Sequence, residues 1–515
     1  MRKTLNSFML MIAVISLLPF SSVRAQRKME KLDRGVVAVR NSSNLYFVSW
    51  RLLATDPEDV KFNLYVKKLP ALPATKINAA PLSVTNLQLA SGAVTEGSQL
   101  YVTTVVNGVE SQSSQPFTIS SAGFKTYRSA YLDISFDPAK DGLALQDYYT
   151  KFCWPVDLDG DGEYDYVVDR LSKDRTKNND KVQGYLRDGT LLWTIEMGPN
   201  CQIDYGSADM VTAYDMDCDG KGEVVIKTTD GTKFANGTYL GGATSPDIDG
   251  DGIVDYEAQS QRNPQYYITV VDGMTGNEKS SIAMDYSKTV YTRDNRASFM
   301  GDEYNKLVGH MGILYLDGKH PSVGYIYMVR TSAGSHIYYV SAWGYNQNGQ
   351  FEHKYTWSRG NLDAAEAHGL RVADTDFDGR DEMLDIGYGI KYDGSLAFNV
   401  HISHGDRFHV TDIDPERPGL ETFAIQQNAS SMLGQILYDA ATGTPIKKWY
   451  LSGVGDVGRG ISIDVDSTRL GCEMWSTMSN IYDAKGNILY EGSTPWPYEG
   501  VWWDGEMDRE MLCAA

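Results

Sequence analysis

Residues 157–165 read Asp-Leu-Asp-Gly-Asp-Gly-Glu-Tyr-Asp, and the chain returns to this pattern. Near-copies stand at 215–223 (DMDCDGKGE), 247–255 (DIDGDGIVD) and 374–382 (DTDFDGRDE), with looser versions at 412–421 (DIDPERPGLE) and 464–473 (DVDSTRLGCE). A fold built on such a unit must place it repeatedly at the same kind of corner. Carboxylates at the first, third, fifth and ninth positions offer hard oxygens to a hard cation, which is the chemistry of a calcium loop. The candidate ligands are Asp157, Asp159, Asp161 and Asp165; Asp215, Asp217, Asp219 and Glu223; Asp247, Asp249, Asp251 and Asp255; and Asp374, Asp376, Asp378 and Glu382. The looser loops add Asp412, Asp414, Asp464 and Asp466, whose carboxylates can equally hold a turn through backbone hydrogen bonds.

Glycine at the sixth position (Gly162, Gly220, Gly252, Gly379) lets the chain turn tightly enough for its neighbours to face one point. The segment after each loop separates it from an EF-hand. YDYVVDR after the first and EVVIKT after the second are strand-like, with no apolar spacing of an exiting helix. Each loop is therefore expected to join two strands. Downstream lie hairpin-like segments such as YLRDGTLLWTIEM (185–197), YITVVDGMTGNEK (267–279) and QILYDAATGTPIKKWY (435–450). Loop plus hairpin recurs at a spacing of about 40–60 residues, the size of a propeller blade. Radial closure of about eight such sheets is the economical way to bury both faces of many short antiparallel strands. A parallel β-solenoid is the alternative, with shorter coils and no hairpins.

If the strand before each loop is innermost, the polar residues at its start converge on one mouth while the acidic loops sit at the other end. Those residues are Asp204, Tyr205 and Asp209 before Asp215, His368 before Asp374, His404, Asp406, Arg407 and His409 before Asp412, and Asp456 and Arg459 before Asp464. Such a mouth suits an acidic sugar. Arg forks match a carboxylate, and a neutral imidazole can accept a proton near pH 7. His409 lies within its strand and reads equally well as a structural histidine. Trp154, Tyr205, Trp475 and Trp496 could stack on sugar faces, although each is more often core.

Arg2 and Lys3 precede an apolar run from Phe8 to Phe20, and Val23 and Ala25 give the small-residue pattern before a cut at Gln26. Residues 1–25 therefore read as a secretory signal. The run is short for a bilayer and no other long one comes after it. A secreted or periplasmic protein, monomeric and without membrane insertion, is expected. The formal charge of −20 argues against nucleic acid as a partner and leaves an acidic polysaccharide open if a local cluster of Arg, His or metal faces it. Five cysteines make no disulfide framework, and the eight histidines make no HExxH. Residues 26–118 alternate strands and turns as a small fibronectin-type-III-like β-sandwich, with Trp50 as its core aromatic. Residues 119–515 are expected to form the propeller.

Several longer segments carry a specific signature: VSWRLLATDPEDVKFNLY (48–65), VVIKTTDGTK (224–233), HGLRVADTDFDGRDE (368–382), HGDRFHVTDIDPERPGLE (404–421), GDVGRGISIDVD (455–466) and YEGVWWDGEMDRE (498–510). Together they resemble the rhamnogalacturonan lyases of polysaccharide lyase family 11. The resemblance implies an all-β chain with an N-terminal sandwich, a calcium-tied eight-bladed propeller, and β-elimination next to galacturonate in the pectin backbone. His404, Arg407, His368, Arg459 and Tyr205 are then the candidate catalytic residues. The chain departs from the family at 201–206, 303–308 and 330–336, and it stops at Cys513-Ala-Ala where the family continues, so the propeller reads as shortened or incomplete. A polysaccharide-binding protein that has lost elimination, and a glycoside hydrolase on the same scaffold, are the competing readings.

Overall fold

The computed structural model describes residues 27–40, 45–69, 71–119, 147–173, 180–198, 201, 203–205, 208–229, 231–245, 265–286, 307–332, 335–360, 362–363, 368–427, 432–450, 457–478, 480–497, 499–501 and 509–512. The expected signal at 1–25, the loop at 247–255 and the WWDG stretch lie outside the described residues. The chain is all-β, with no α-helix among the described residues. Strands pair antiparallel throughout, apart from one parallel bridge between Asp209 and His310. That pattern excludes the parallel solenoid for the described residues.

The N-terminal unit pairs a three-stranded sheet (Val37–Arg40, Tyr46–Ser49, Asn86–Leu89) with a five-stranded one centred on Lys61–Lys67 and Gln99–Val106. Both face one core, in which Trp50 is buried and meets Phe62 edge-on at 5.6 Å between ring centroids. Alternation is clean here: Tyr46 and Val48 turn inward while Phe47 and Ser49 do not.

Beyond it come sheets each built on four consecutive strands that pair in order, the first adding Tyr148–Tyr149 beside its second strand and the third adding Asp204–Tyr205 and Ala208–Asp209 ahead of its four. Their first strands are Cys153–Val156, Val211–Tyr214, Leu307–Leu314, Arg371–Ala373, Phe408–Thr411 and Gly460–Ile463. A two-stranded pair, Glu499–Val501 with Glu510–Leu512, comes last. The first strand of each sheet lies against the first strand of the next, so the sheets succeed one another in chain order.

The second strands explain why EVVIKT has no alternation. Glu223–Thr229 is buried at every position because both of its faces meet a neighbouring sheet. Val224 and Ile226 pack with Val156, Val167 and Ile195 of the preceding sheet, while Val225 packs with Val323, Tyr325 and Trp343 of the next one. The same division recurs at Leu384 and Met383, and at Ala424 against Phe423 and Ile425. Outermost strands such as Pro445–Tyr450 are largely exposed.

The acidic loops join first to second strands, and residues 27–35 run across them. Arg27 forks onto Asp381 (2.7 and 3.2 Å), the Tyr315 hydroxyl donates to the Lys28 carbonyl (2.9 Å), and the Asp33 N–H donates to the Gly162 carbonyl (2.7 Å). Arg51 adds an ion pair to Glu163 at 3.2 Å. This N-terminal strap thus ties the loop ends of separate sheets to the sandwich.

Phe423 is fully buried between the fifth and sixth sheets, edge-on to Trp449 at 6.2 Å. Phe423→Ala is expected to cost about 3–5 kcal/mol of unfolding free energy, read as a lowered urea midpoint.

Candidate functional site

The fifth first strand is entered through His404-Gly405-Asp406-Arg407, and local packing fixes that entry. A Cβ on Gly405 would stand 1.9 Å from the Ile425 carbonyl oxygen, so only glycine lets the chain pass so close. On either side the Gln427 N–H donates to the His404 carbonyl (2.8 Å) and the Ile425 N–H to the Arg407 carbonyl (3.2 Å). The side chains of 404, 406 and 407 are thereby placed at the strand start.

Asp406 is the centre of the cluster. Its Oδ1 lies 3.4 Å from His368 Nε2 and 3.5 Å from His404 Nε2, and its Oδ2 lies 3.1 Å from Arg459 Nη1. The two imidazoles meet edge-on, 5.2 Å between centroids. Arg407 Nη1 donates to the Asp406 carbonyl at 3.2 Å. The carboxylate is 17% exposed, His368 52% and Arg459 35%, so the acid forms the floor and the imidazole and guanidinium groups reach outward. Three sheets, the fourth, fifth and sixth, contribute to this one mouth. One ligand atom each from His368, His404 and Asp406 lie within 4.8 Å of one another, a spacing that could hold a cation.

Burial holds the His368 imidazole below its ordinary value; Asp406 opposes this, and His404, Arg407 and Arg459 add to it. At neutral pH it is uncharged. Sequence reasoning missed His310, on Leu307–Leu314 of the third sheet. Burial, aided by the nearby His368, Arg371 and Arg407, pushes its pKa down to about 4. Its corner, Tyr315-Leu-Asp-Gly, lacks the DxDxDG signature, so the strand before it does not stand out among the repeats. Asp406, expected among the polar residues at this strand start, is the acid around which the others gather.

Other candidates fall elsewhere. His409 is half-buried, with Nε2 3.0 Å from the Gly460 carbonyl oxygen, bridging the fifth and sixth sheets. Trp154 donates from its indole nitrogen to Asp209 (3.1 and 3.2 Å), and Trp475 is buried with its indole on the Pro495 carbonyl (3.0 Å). Trp496 remains exposed. The side chain of Tyr205 lies outside the described residues.

At the opposite strand ends the acidic loops share one closure. The acid that opens the second strand accepts the N–H of the loop's second residue: Leu158 to Asp165 (3.1 Å), Met216 to Glu223 (3.0 Å), Thr375 to Glu382 (2.9 Å), Ile413 to Glu421 (2.9 Å) and Val465 to Glu473 (3.1 Å). In three loops the first aspartate also accepts the sixth-position glycine N–H, at φ +89° for Gly162, +98° for Gly220 and +95° for Gly379. Asp157, Asp159 and Asp165, then Asp215, Asp217 and Glu223, then Asp374, Asp376 and Glu382 each bring ligand atoms within 4.8 Å of one another. Asp161, Asp219 and Asp378 instead clamp the seventh-position N–H (2.8, 2.8 and 2.9 Å). Asp412, Asp414, Asp464 and Asp466 form no such cluster among the described residues. Burial and neighbouring carboxylates push Asp165 up to about 6 and Glu382 to about 7. Asp215 Oδ1 and Glu382 Oε1 are buried with no hydrogen-bond donor among the described residues. Crowded, buried, under-satisfied oxygens fit a hard cation.

Stacked antiparallel sheets with a mouth of imidazole and guanidinium groups can grip an acidic polymer, and the chain is a polysaccharide lyase. Its residues 127–515 match the model of the rhamnogalacturonan lyase family 11 C-terminal domain, and 27–119 that of the rhamnogalacturonan I lyase beta-sheet domain. It is 33% identical to rhamnogalacturonan endolyase YesW of Bacillus subtilis, over 98% of this chain and 78% of that protein. Against rhamnogalacturonan exolyase YesX of the same organism the identity is 29%, over 95% and 78%. The crystal structure of YesW superposes with a TM-score of 0.75, covering 95% of this chain and 80% of that one at 32% identity. The chain belongs to rhamnogalacturonan lyase family 11.

His409 gives a pH test of the site's scaffold. Its folded pKa, about 4, lies below the ordinary 6.5, so the folded state binds fewer protons and stability is lost as pH falls from about 6.5 towards 4. His409→Gln is expected to flatten that part of the acid limb in urea unfolding.

Proposed function

We propose that the chain cleaves the rhamnogalacturonan backbone by β-elimination beside galacturonate, as a secreted or periplasmic, monomeric, calcium-bearing enzyme. The observation that carries this is the gathering of His368, His404 and Arg459 around Asp406, with Arg407 beside it. Rhamnogalacturonan is the polymer for which the relatives YesW and YesX are named.

Elimination needs the uronate carboxylate neutralised, the C5 proton removed and the C4 oxygen released, leaving a double bond between C4 and C5. Arg407 and Arg459 are the guanidinium forks available to the carboxylate, where they offset charge that grows as the C5–H bond breaks. His310 is an uncharged imidazole at the same mouth and supplies a lone pair for the proton; His368, also uncharged, would do so only with its nitrogen free of a cation. His368, His404 and Asp406 would hold a cation there, which would add Lewis-acid polarisation of the same carboxylate. In the acidic loops, Asp157, Asp159 and Asp165, Asp215, Asp217 and Glu223, and Asp374, Asp376 and Glu382 would hold calcium as structural ions. The loop at 247–255 repeats their sequence.

An eight-bladed propeller is the architecture proposed for the whole. It is supported by face-to-face sheets that succeed one another through their first strands. The mouth at the strand starts is then the axial groove, and the acidic loops form the far rim.

Incubation with rhamnogalacturonan is expected to yield unsaturated products, read as a rise in ultraviolet absorbance. New reducing ends without absorbance would instead favour hydrolysis, and binding without either a non-catalytic protein. Arg407→Ala is expected to lower kcat/KM by about 100-fold with an unchanged melting temperature; full activity would remove it from the site. Chelating calcium is expected to lower the melting temperature, since ions held only by the folded chain stabilise it.

A further inference from the structure

The shared closure of the acidic loops leaves one oxygen of each closing acid for another partner, and that partner differs from loop to loop. In the first loop Asp165 Oδ1 accepts the Arg187 N–H at 2.7 Å. In the second, Glu223 Oε1 takes the Lys279 ammonium at 2.8 Å, while Asp215 Oδ1 stays without a donor among the described residues. In the loop at 374–382, Glu382 is 1% exposed and its Oε1 likewise has no donor among them. In the loop at 412–421, Glu421 is fully buried and its Oε1 takes Arg417 Nη1 at 2.7 Å. The same guanidinium reaches Asp439 Oδ2 with Nη2 at 2.5 Å.

We propose that Arg417 is a built-in cation, standing in the loop at 412–421 for the metal ion that the loop at 374–382 takes from solution. The inference rests on the calcium reading of the loops and sorts them. Three features of an ion site are altered at 412–421. The sixth position, glycine in the DxDxDG loops, is Arg417 itself, and its N–H goes to the Asp414 carbonyl (2.8 Å) instead of the first aspartate. That first aspartate, Asp412, is exposed, whereas Asp157 and Asp215 are buried. The fifth-position acid, Glu416, turns outward and pairs with Lys485. Pro415 and Pro418 flank the turn and restrict the backbone that aims the guanidinium. A planar fork bonded to two carboxylates supplies what a divalent ion would supply, namely positive charge and directed contacts to buried oxygens. Arg417 holds the Asp439 carboxyl below the usual carboxylate range, the effect expected of a bound cation. Lys279 is a partial version, a single ammonium on Asp217 and Glu223 that leaves Asp215 Oδ1 unserved.

The experiment counts calcium and melts the protein. Full-length wild type, Asp376→Asn and Asp414→Asn are passed through low-calcium buffer, and bound calcium is measured per chain by atomic emission. Asp376→Asn is expected to lose one ion and Asp414→Asn none; loss of one ion from Asp414→Asn would overturn the proposal. In parallel, Arg417→Gln is expected to melt several degrees below wild type by the same amount with and without chelator, with Arg417→Lys recovering part of the shift. A wild-type melt for Arg417→Gln would overturn the proposal independently of calcium. Absence of calcium from the wild type would count against the ion reading of the loops, and the melts would still decide the role of Arg417.

Discussion

One hydrogen bond, repeated in five sheets, carries much of the architecture: a buried carboxylate at the start of the second strand receives the N–H of the second residue in the preceding loop, the third sheet, whose second strand opens at Ser322, being the exception. It fixes the corner between a strand that lines the mouth and a strand buried on both faces. Burying an acid is costly unless its lone pairs are served. The protein serves the remaining oxygen by a backbone N–H at Asp165, an ammonium at Glu223 and a guanidinium at Glu421. Glu382 alone of these four is left with an oxygen that no donor among the described residues reaches.

The corner also explains the division of labour along each first strand. Its far end is committed to the acidic turn, so its near end is free to carry chemistry. Gly405 brings the chain close to Ile425, and His404, Asp406 and Arg407 are set at that near end. The neighbouring strands bring His368 and Arg459 to the same carboxylate. Because Asp406 sits beneath them, the imidazole and guanidinium groups are held outward.

The loops were legible because their geometry is local: carboxylates and glycines at fixed offsets dictate a turn whatever surrounds it. The mouth was legible through the same offsets, which brought out His368, His404, Arg407 and Arg459 although they lie on strands distant in sequence. His310 was not, because its corner keeps only Tyr315-Leu-Asp-Gly and so breaks the pattern that marks the others. The difference between 412–421 and the DxDxDG loops was not legible either. It depends on Asp439 of a later strand meeting Arg417, a contact that no spacing within the loop announces. Trp475 reads the same on paper as a sugar-stacking aromatic, and only its burial against Pro495 settles it as core.

The strap at 27–35 has a consequence for the order in which the molecule assembles. Arg27 finds Asp381 at a separation of 354 residues. During synthesis the strap emerges before the sheets that it fastens, and it is complete only when the fourth has formed. Asp33 can already donate to Gly162 once the first sheet stands, but Arg27 has no carboxylate to fork onto until the fourth does, so the arm is fastened from its sandwich end and thrown home at the arginine last.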